Sequence, residues 1–117
     1  MNVDFREREE DHCILIELNC GAVFGKKRAL LLEEINRFGS IGRAAEAADI
    51  PFDHSLELVN AMNKSCISPL VEILNADGAD ISAKLTVDGQ RAVQDFKHLY
   101  EDLRLSVAEE LRLRKSA

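Results

Sequence analysis

The fold is decided by residues 39–63, which read GSIGRAAEAADIPFDHSLELVNAMN. Ser40 is of a type that caps helix N-termini. Small or apolar residues then recur at helical spacing, at Ile41, Ala44, Ala45 and Ala48. The run Asp49-Ile50-Pro51 interrupts this pattern, because a proline disfavours helical geometry in the residue before it. A further helical pattern follows, with one apolar face formed by Phe52, Leu56, Val59 and Met62. Two short helices joined by so tight a turn predict a helix-turn-helix unit, which leaves one side of its second helix exposed.

Periodic patterns on both sides of this unit predict the remaining elements. The β-branched apolar run at 13–18 predicts a strand, and an amphipathic helix follows over 26–38, ended by Gly39. After residue 63 the chain has the pattern of a hairpin, with strands over 70–74 and 83–87 and a polar tip between them. We therefore predict an α+β fold that is mainly α, a winged helix-turn-helix in which this hairpin is the wing.

The last segment predicts a long amphipathic helix from about Asp88 to Arg114. Its apolar stripe consists of Val93, Phe96, Leu99, Tyr100, Leu103, Val107 and Leu111. A stripe of this length exceeds what so small a domain can cover, so we expect part of it to contact a second copy of the chain. The alternative is that the helix folds back onto its own domain. The predicted organisation is a polar arm over 1–12, the winged domain over 13–87 and the dimerisation helix over 88–117.

Composition limits the function classes. The chain has 117 residues, of which 46% are hydrophobic, enough for one domain with a core. The net charge of −6 argues against a general polyanion binder. The sequence lacks an apolar run long enough to cross a bilayer and a secretory signal pattern, so we expect a cytoplasmic protein with no membrane contact. No cofactor or metal is predicted, because the cysteines and histidines are scattered, at His12, Cys13, Cys20, His54, Cys66 and His98.

Four sequence segments are similar to those of a known protein family. They are GSIGRAA at 39–45, LVNAMN at 58–63, PLVE at 69–72 and LTVDG at 85–89. Together they resemble the N-terminal DNA-binding domain of the ModE family of molybdate-responsive regulators, and more loosely the LysR-type regulators. The similarity runs from about Ile14 to Leu103. It implies a winged-helix dimer with the third helix in the major groove. The family's molybdate-binding domain has no counterpart before Ala117, so direct molybdate sensing is not expected.

The resemblance also implies that the first strand and the long helix pair the subunits. The residues expected at the dimer interface are Ile14, Ile16, Phe96, Leu99, Tyr100, Leu103, Val107 and Leu111. Expected phosphate contacts are the cations Lys26, Lys27, Arg28, Arg43, Lys64 and Lys84, each of which could instead be a solvated surface residue. Ser40 is also expected to contact DNA. The expected base readers on the third helix are Pro51, Asp53, His54, Ser55 and Glu57.

Two departures from the family leave the function open. Asp53 lies where a cation would be expected, and it could either accept from a cytosine amino group or interact only with the positive helix N-terminus. The hairpin carries Ile73, Asp77 and Asp80, with Lys84 as its only cation. We therefore expect a homodimeric transcriptional regulator that binds double-stranded DNA. The alternative is a winged-helix protein that has lost DNA binding and uses its acidic face to bind a basic protein partner. We expect no enzymatic activity, since no catalytic motif stands out.

Overall fold

The computed structural model describes residues 15–18, 21, 23–76 and 81–116, with side chains up to residue 110. Over this part the chain is mainly helical, with four helices and two small antiparallel sheets, which agrees with the predicted class. The strands are β1 (Ile16–Glu17), β2 (Val23–Phe24), β3 (Val71–Asn75) and β4 (Ser82–Leu85). The helices are α1 (Lys26–Phe38), α2 (Ile41–Ala48), α3 (Phe52–Ser65) and α4 (Val87–Ser116).

Helices α1 and α2 begin and end where the sequence predicts. Gly39 ends α1 in the left-handed conformation, with φ of 68°, and its N–H donates to the carbonyl of Ile35 over 2.8 Å. Ser40 then caps α2, because its side chain accepts from the N–H of Arg43 at 3.2 Å. The small residues Ala44 and Ala48 are fully buried, which allows the neighbouring helices to approach closely.

The connection from α2 to α3 is short because Asp49 adopts the left-handed conformation, with φ of 59°. The N–H of Ile50 donates to the carbonyl of Ala45 at 2.9 Å and so satisfies the end of α2. The carbonyl of Pro51 accepts from the N–H of Ser55 at 2.9 Å, which starts α3. The predicted interruption of the helical pattern at residues 49–51 is confirmed.

Strands β3 and β4 form an antiparallel hairpin in which Val71 pairs with Leu85 and Ile73 with Ala83. The return strand ends at Leu85, two residues before the predicted end, because α4 begins at Val87 and is capped by Thr86. Its hydroxyl accepts from the N–H of Gly89 at 3.0 Å and also donates to the carbonyl of Pro69 at 2.8 Å. The tip was predicted to begin at Asn75, but Asn75 is the last residue of β3 and pairs with Ser82. Asp77 and Asp80 lie outside the described residues.

Two further contacts fix the hairpin on the helices. The side chain of Asn63 at the end of α3 accepts from the N–H groups of Leu70 (2.9 Å) and Val71 (3.1 Å) and donates to the carbonyl of Val71 (3.1 Å). On the other edge of β4, the N–H of Ala83 donates to the carbonyl of Gly39 at 3.1 Å. The hairpin is therefore bound both to α3 and to the α1–α2 turn.

The amino-terminal strand is shorter than predicted. Within the described residues it covers Ile16–Glu17 and pairs with β2, which the sequence did not predict, through Ile16↔Phe24 and Glu17↔Val23. Ile16 and Phe24 are both buried in the core. The arm over 1–12, the cysteines Cys13 and Cys20 and the predicted dimer residue Ile14 lie outside the described residues.

Helix α4 is the longest element, with 30 residues, or about 45 Å. Its first half packs on the domain: Phe96 lies between Phe24 and Tyr100, with ring centroids 6.3 and 5.4 Å apart. Lys97 also forms an ion pair with Glu33 of α1, at 3.3 Å. None of the described helices is both long and apolar enough to cross a membrane.

The assignment of Ile16, Phe96 and Tyr100 to a dimer interface is wrong, because all three are buried within their own chain. This part of α4 therefore folds back onto its own domain, which was the alternative prediction for the apolar stripe. Leu99, Leu103 and Val107 are instead exposed, with 45% of Leu103 accessible. The side chain of Leu111 lies outside the described residues.

Candidate nucleic-acid interface

Helix α3 has a buried side and an exposed side. Ser55, Val59 and Met62 are buried and turn toward the core. On the opposite side, exposed polar residues repeat at the same helical spacing, at Asp53, His54, Glu57, Asn60 and Lys64, and Ser65 at the end of α3 is also exposed. The exposed side of α3 is therefore polar along its whole length and available to a partner.

The interpretation of Ser55 as a base reader is wrong. Its side chain is fully buried, with 0% exposure, and its hydroxyl donates to the carbonyl of Phe52 at 2.6 Å. A serine hydroxyl that bonds to its own helix can lie in a core without an unsatisfied group. Ser55 therefore allows close packing of α3 and is not available to bases.

Ser40 is also misassigned as a DNA contact. It is buried, its side chain caps α2, and its backbone forms an isolated bridge with Ser82. Pro51, by contrast, is exposed immediately before α3. The contribution of Ser40 is to hold the start of α2, and through it Arg43, in place.

The exposed side of α3 has more acids than fixed cations. Asp53 lies in the first turn, where a carboxylate interacts favourably with the helix N-terminus, and Lys64 lies in the last turn. Nδ1 of His54 is 3.7 Å from Oε2 of Glu57, an exposed pair in which the Glu57 side chain is 77% accessible. Exposed charges of this kind are screened by salt, so they contribute little to stability. They decide instead which partners this side can accept.

The cations predicted to contact phosphates fall into two groups. Arg43 on α2 and Lys84 on β4 are exposed, and Lys84 stands opposite Glu72 in the hairpin register. Together with Lys64, these residues belong to α2, α3 and the hairpin, the three elements of the predicted DNA-binding unit.

The second group, Lys26, Lys27 and Arg28, lies at the start of α1. Nζ of Lys26 is 5.0 Å from the centroid of the Tyr100 ring on α4, and Nη1 of Arg28 donates to the carbonyl of Val23 at 3.4 Å. Lys27 is exposed. Two of these three cations therefore have intramolecular contacts with α4 or β2.

Glu101 of α4 is close enough to Lys26, one of these three cations, to interact with its charge. A side-chain hydrogen bond from Arg104, with Nη2 2.9 Å from Oε1, lowers the pKa of Glu101, although desolvation opposes this in part. The charges of Arg104 and Lys26 lower this pKa further. The positive charge of Lys26 therefore interacts in part with Glu101 of its own chain.

Asn60 is an exposed residue of α3 that was not among the predicted base readers. It lies on α3 two helical turns after Asp53, on the same side, and it is exposed. Asparagine is a poor helix former, so an asparagine among the polar positions of a strongly patterned helix is a usable signal. Asn63 has the same side chain, but its amide forms hydrogen bonds to the backbone of Leu70 and Val71.

The predicted absence of a metal site remains a prediction. Within the described part of the chain, no group of three or more histidines, cysteines or acids is placed to hold a metal ion. Cys66 is a buried thiol next to the end of α3. His54 and His98 are exposed on different helices.

The chain matches no protein-family model, and no curated protein sequence matches it closely enough to count as related.

Proposed function

We propose that the chain is a sequence-specific DNA-binding regulator of transcription that acts as a homodimer, with α3 in the major groove. The observation that carries this proposal is the arrangement of α2 and α3. The turn at Asp49 sets α3 against the core through Ser55 and Met62, while a continuous polar side remains exposed. A recognition helix needs this geometry, since it must be supported from behind and reach base edges in front. The resemblance to the ModE-family domain, including its wing, supports the same function.

The proposal is tested by selecting duplexes from a random pool with the full chain at low salt, followed by titration of the enriched duplex. We expect a two-part site with half-sites about 34 Å apart, or a multiple of this distance, because a symmetric dimer contacts one face of the duplex. Affinity should fall steeply as salt rises. The proposal is wrong if no duplex is enriched and no duplex binds.

Arg43→Ala is expected to weaken binding to all duplexes by a similar factor and to reduce the salt dependence by about one phosphate contact. The reason is that Arg43 is exposed on α2, the helix that crosses the backbone in such units. Fluorescence anisotropy at several salt concentrations measures both effects.

Lys97→Ala is the matched control for this prediction. It removes the same charge from α4, where Lys97 pairs with Glu33, and it should leave the salt dependence unchanged. Equal effects of the two variants would mean that only the total charge matters and that Arg43 makes no phosphate contact.

Dimerisation is the second part of the proposal. The inward face of α4, which contains Phe96 and Tyr100, continues at helical spacing as Leu103 and Val107, where the domain no longer covers it. An apolar helix face left exposed in this way favours pairing with a second copy. Leu103→Asp should therefore convert a dimer into a monomer, measured as the mass in size-exclusion chromatography with light scattering.

Leu105→Asp provides the control for the dimer prediction, because Leu105 is equally apolar and exposed but lies on the other side of α4. We expect this variant to keep the mass of the wild-type protein. A monomeric wild-type chain at micromolar concentration, or loss of the dimer in both variants, would contradict this part of the proposal.

The acidic exposed side of α3 favours a second candidate function, binding of a basic protein. Asp53 and Glu57 repel phosphates but attract cationic side chains. The double variant Asp53→Asn and Glu57→Gln separates the two functions. Basic-protein binding should be lost in this variant, whereas non-specific DNA affinity should increase because two repulsive charges are removed.

A further inference from the structure

The exposed side of α3 carries hydrogen-bond acceptors at three successive positions on one face. These are the carboxylates of Asp53 and Glu57 and the amide of Asn60. Within the described residues, the side chains of Asp53 and Asn60 make no hydrogen bond to the protein, and Glu57 has only the long 3.7 Å contact with His54. The acceptor atoms are therefore available to a ligand.

The same helix lacks the side chains that most often read guanine. Arginine and lysine donate to the guanine acceptors O6 and N7, but α3 contains no arginine, and its lysine, Lys64, lies in the last turn. A carboxylate has no proton to donate. If Asp53 or Glu57 faced guanine or thymine, two acceptors would meet, and the carboxylate would lose its water without a replacement bond.

We propose that α3 reads exocyclic amino groups in the major groove: Asp53 and Glu57 each accept from the N4 amino group of a cytosine, and Asn60 pairs with N6 and N7 of an adenine. This inference rests on the proposed function, because it names the bases that the same helix selects. Cytosine N4 and adenine N6 are the amino donors that base pairs present in this groove, and they match these side chains.

The spacing of the three residues fits this assignment. The rise from Asp53 to Asn60 is about 10 Å along the helix, and base pairs follow one another every ~3.4 Å. The three side chains therefore cover about three base-pair steps. A half-site read in this way has cytosines at the positions contacted by Asp53 and Glu57 and an adenine toward the carboxyl end of the helix.

The charges on α3 also predict how affinity is distributed. Both carboxylates are repelled by phosphates at every site, and only a site that offers amino groups compensates for this repulsion. Arg43, Lys64 and Lys84 supply the nearby positive charge. Non-specific binding is therefore weak, and the ratio of specific to non-specific affinity is large.

The experiment is selection from a random duplex pool with the whole 117-residue wild-type chain and with three variants, Asp53→Asn, Glu57→Gln and Asn60→Ala. Glutamine pairs with adenine through N6 and N7, so Glu57→Gln should change one motif position from cytosine to adenine, with about a tenfold change in relative affinity. Asp53→Asn should make the same change at a different position. Asn60→Ala should remove the adenine preference at a third position.

Lys64→Ala is the control, because loss of a phosphate contact weakens all duplexes alike and leaves the motif unchanged. All four substitutions are on the exposed side, so circular dichroism should report folded proteins. A wild-type motif without cytosine, or a motif that Glu57→Gln and Asp53→Asn leave unchanged, overturns the inference while DNA binding itself stands. If the wild-type chain enriches no motif and binds no duplex, the proposed function fails and this inference fails with it.

Discussion

Gly89→Ala is expected to lower the free energy of unfolding by about 3 to 5 kcal/mol. A β-carbon at this position would lie 2.1 Å from the carbonyl oxygen of Leu70 and 3.3 Å from Cβ of Leu85. The Leu70 oxygen accepts from the N–H of Thr86 at 3.0 Å, so moving it aside would also disturb the start of α4. The usual gain from alanine in a helix, about 1 kcal/mol, is too small to compensate. Urea denaturation followed by circular dichroism measures the loss.

The control for this prediction is Gln90→Ala, one residue further along the same turn and exposed. It should change stability by less than about 0.5 kcal/mol. Both variants are compared at one protein concentration, because stability depends on concentration if the chain pairs with itself. A Gly89→Ala variant as stable as the control would mean that α4 and Leu70 are not in close contact.

Asn63→Ala is expected to cost about 2 to 4 kcal/mol. The substitution removes three hydrogen bonds at once and leaves the N–H groups of Leu70 and Val71 without their side-chain acceptor. Since these bonds join α3 to β3, we also expect faster amide exchange at the start of the hairpin. Thermal melting and hydrogen exchange measure the two effects.

The matched control is Asn60→Ala, which removes the same side chain from the exposed side of α3. Alanine has the higher helix propensity, so this variant should be as stable as the wild type or slightly more stable. The pair separates a structural asparagine from one that is available for binding. Equal losses in both variants would contradict the role assigned to Asn63.

The sequence was a good guide where apolar residues repeat at helical spacing. The bounds of α1, the cap at Ser40 and the break at Pro51 were all predicted, because each depends on local chemistry. A two-residue strand such as β2 cannot be predicted in this way, since it is too short to show an alternation of apolar and polar residues. It forms because Phe24 pairs with Ile16 and is buried in the core, and single-sequence periodicity does not report such distant contacts.

The misassigned site residues share a physical cause. The polarity of Ser55 predicted an exposed side chain. In the fold its hydroxyl donates a hydrogen bond to the Phe52 carbonyl, so this small side chain can be buried in the core. Phe96 and Tyr100 were predicted to lie at a dimer interface, because an apolar stripe in the sequence does not show whether its own domain or a second copy covers it. The choice depends on how far the domain extends along α4, and this is decided by the fold as a whole.

The position of β4 has a consequence for unwanted association. Strand β4 is bonded to β3 on one edge, and on the other edge Ala83 donates to Gly39 while Ser82 is bridged to Ser40. Both edges of the return strand are thus occupied by its own chain. The outer edge of β3 is occupied at Val71 by the side chain of Asn63, so a foreign strand would have to add at Ile73 and Leu74, which are exposed. Fibril growth seeded at the hairpin should therefore depend on β3, and a proline or lysine there should slow it.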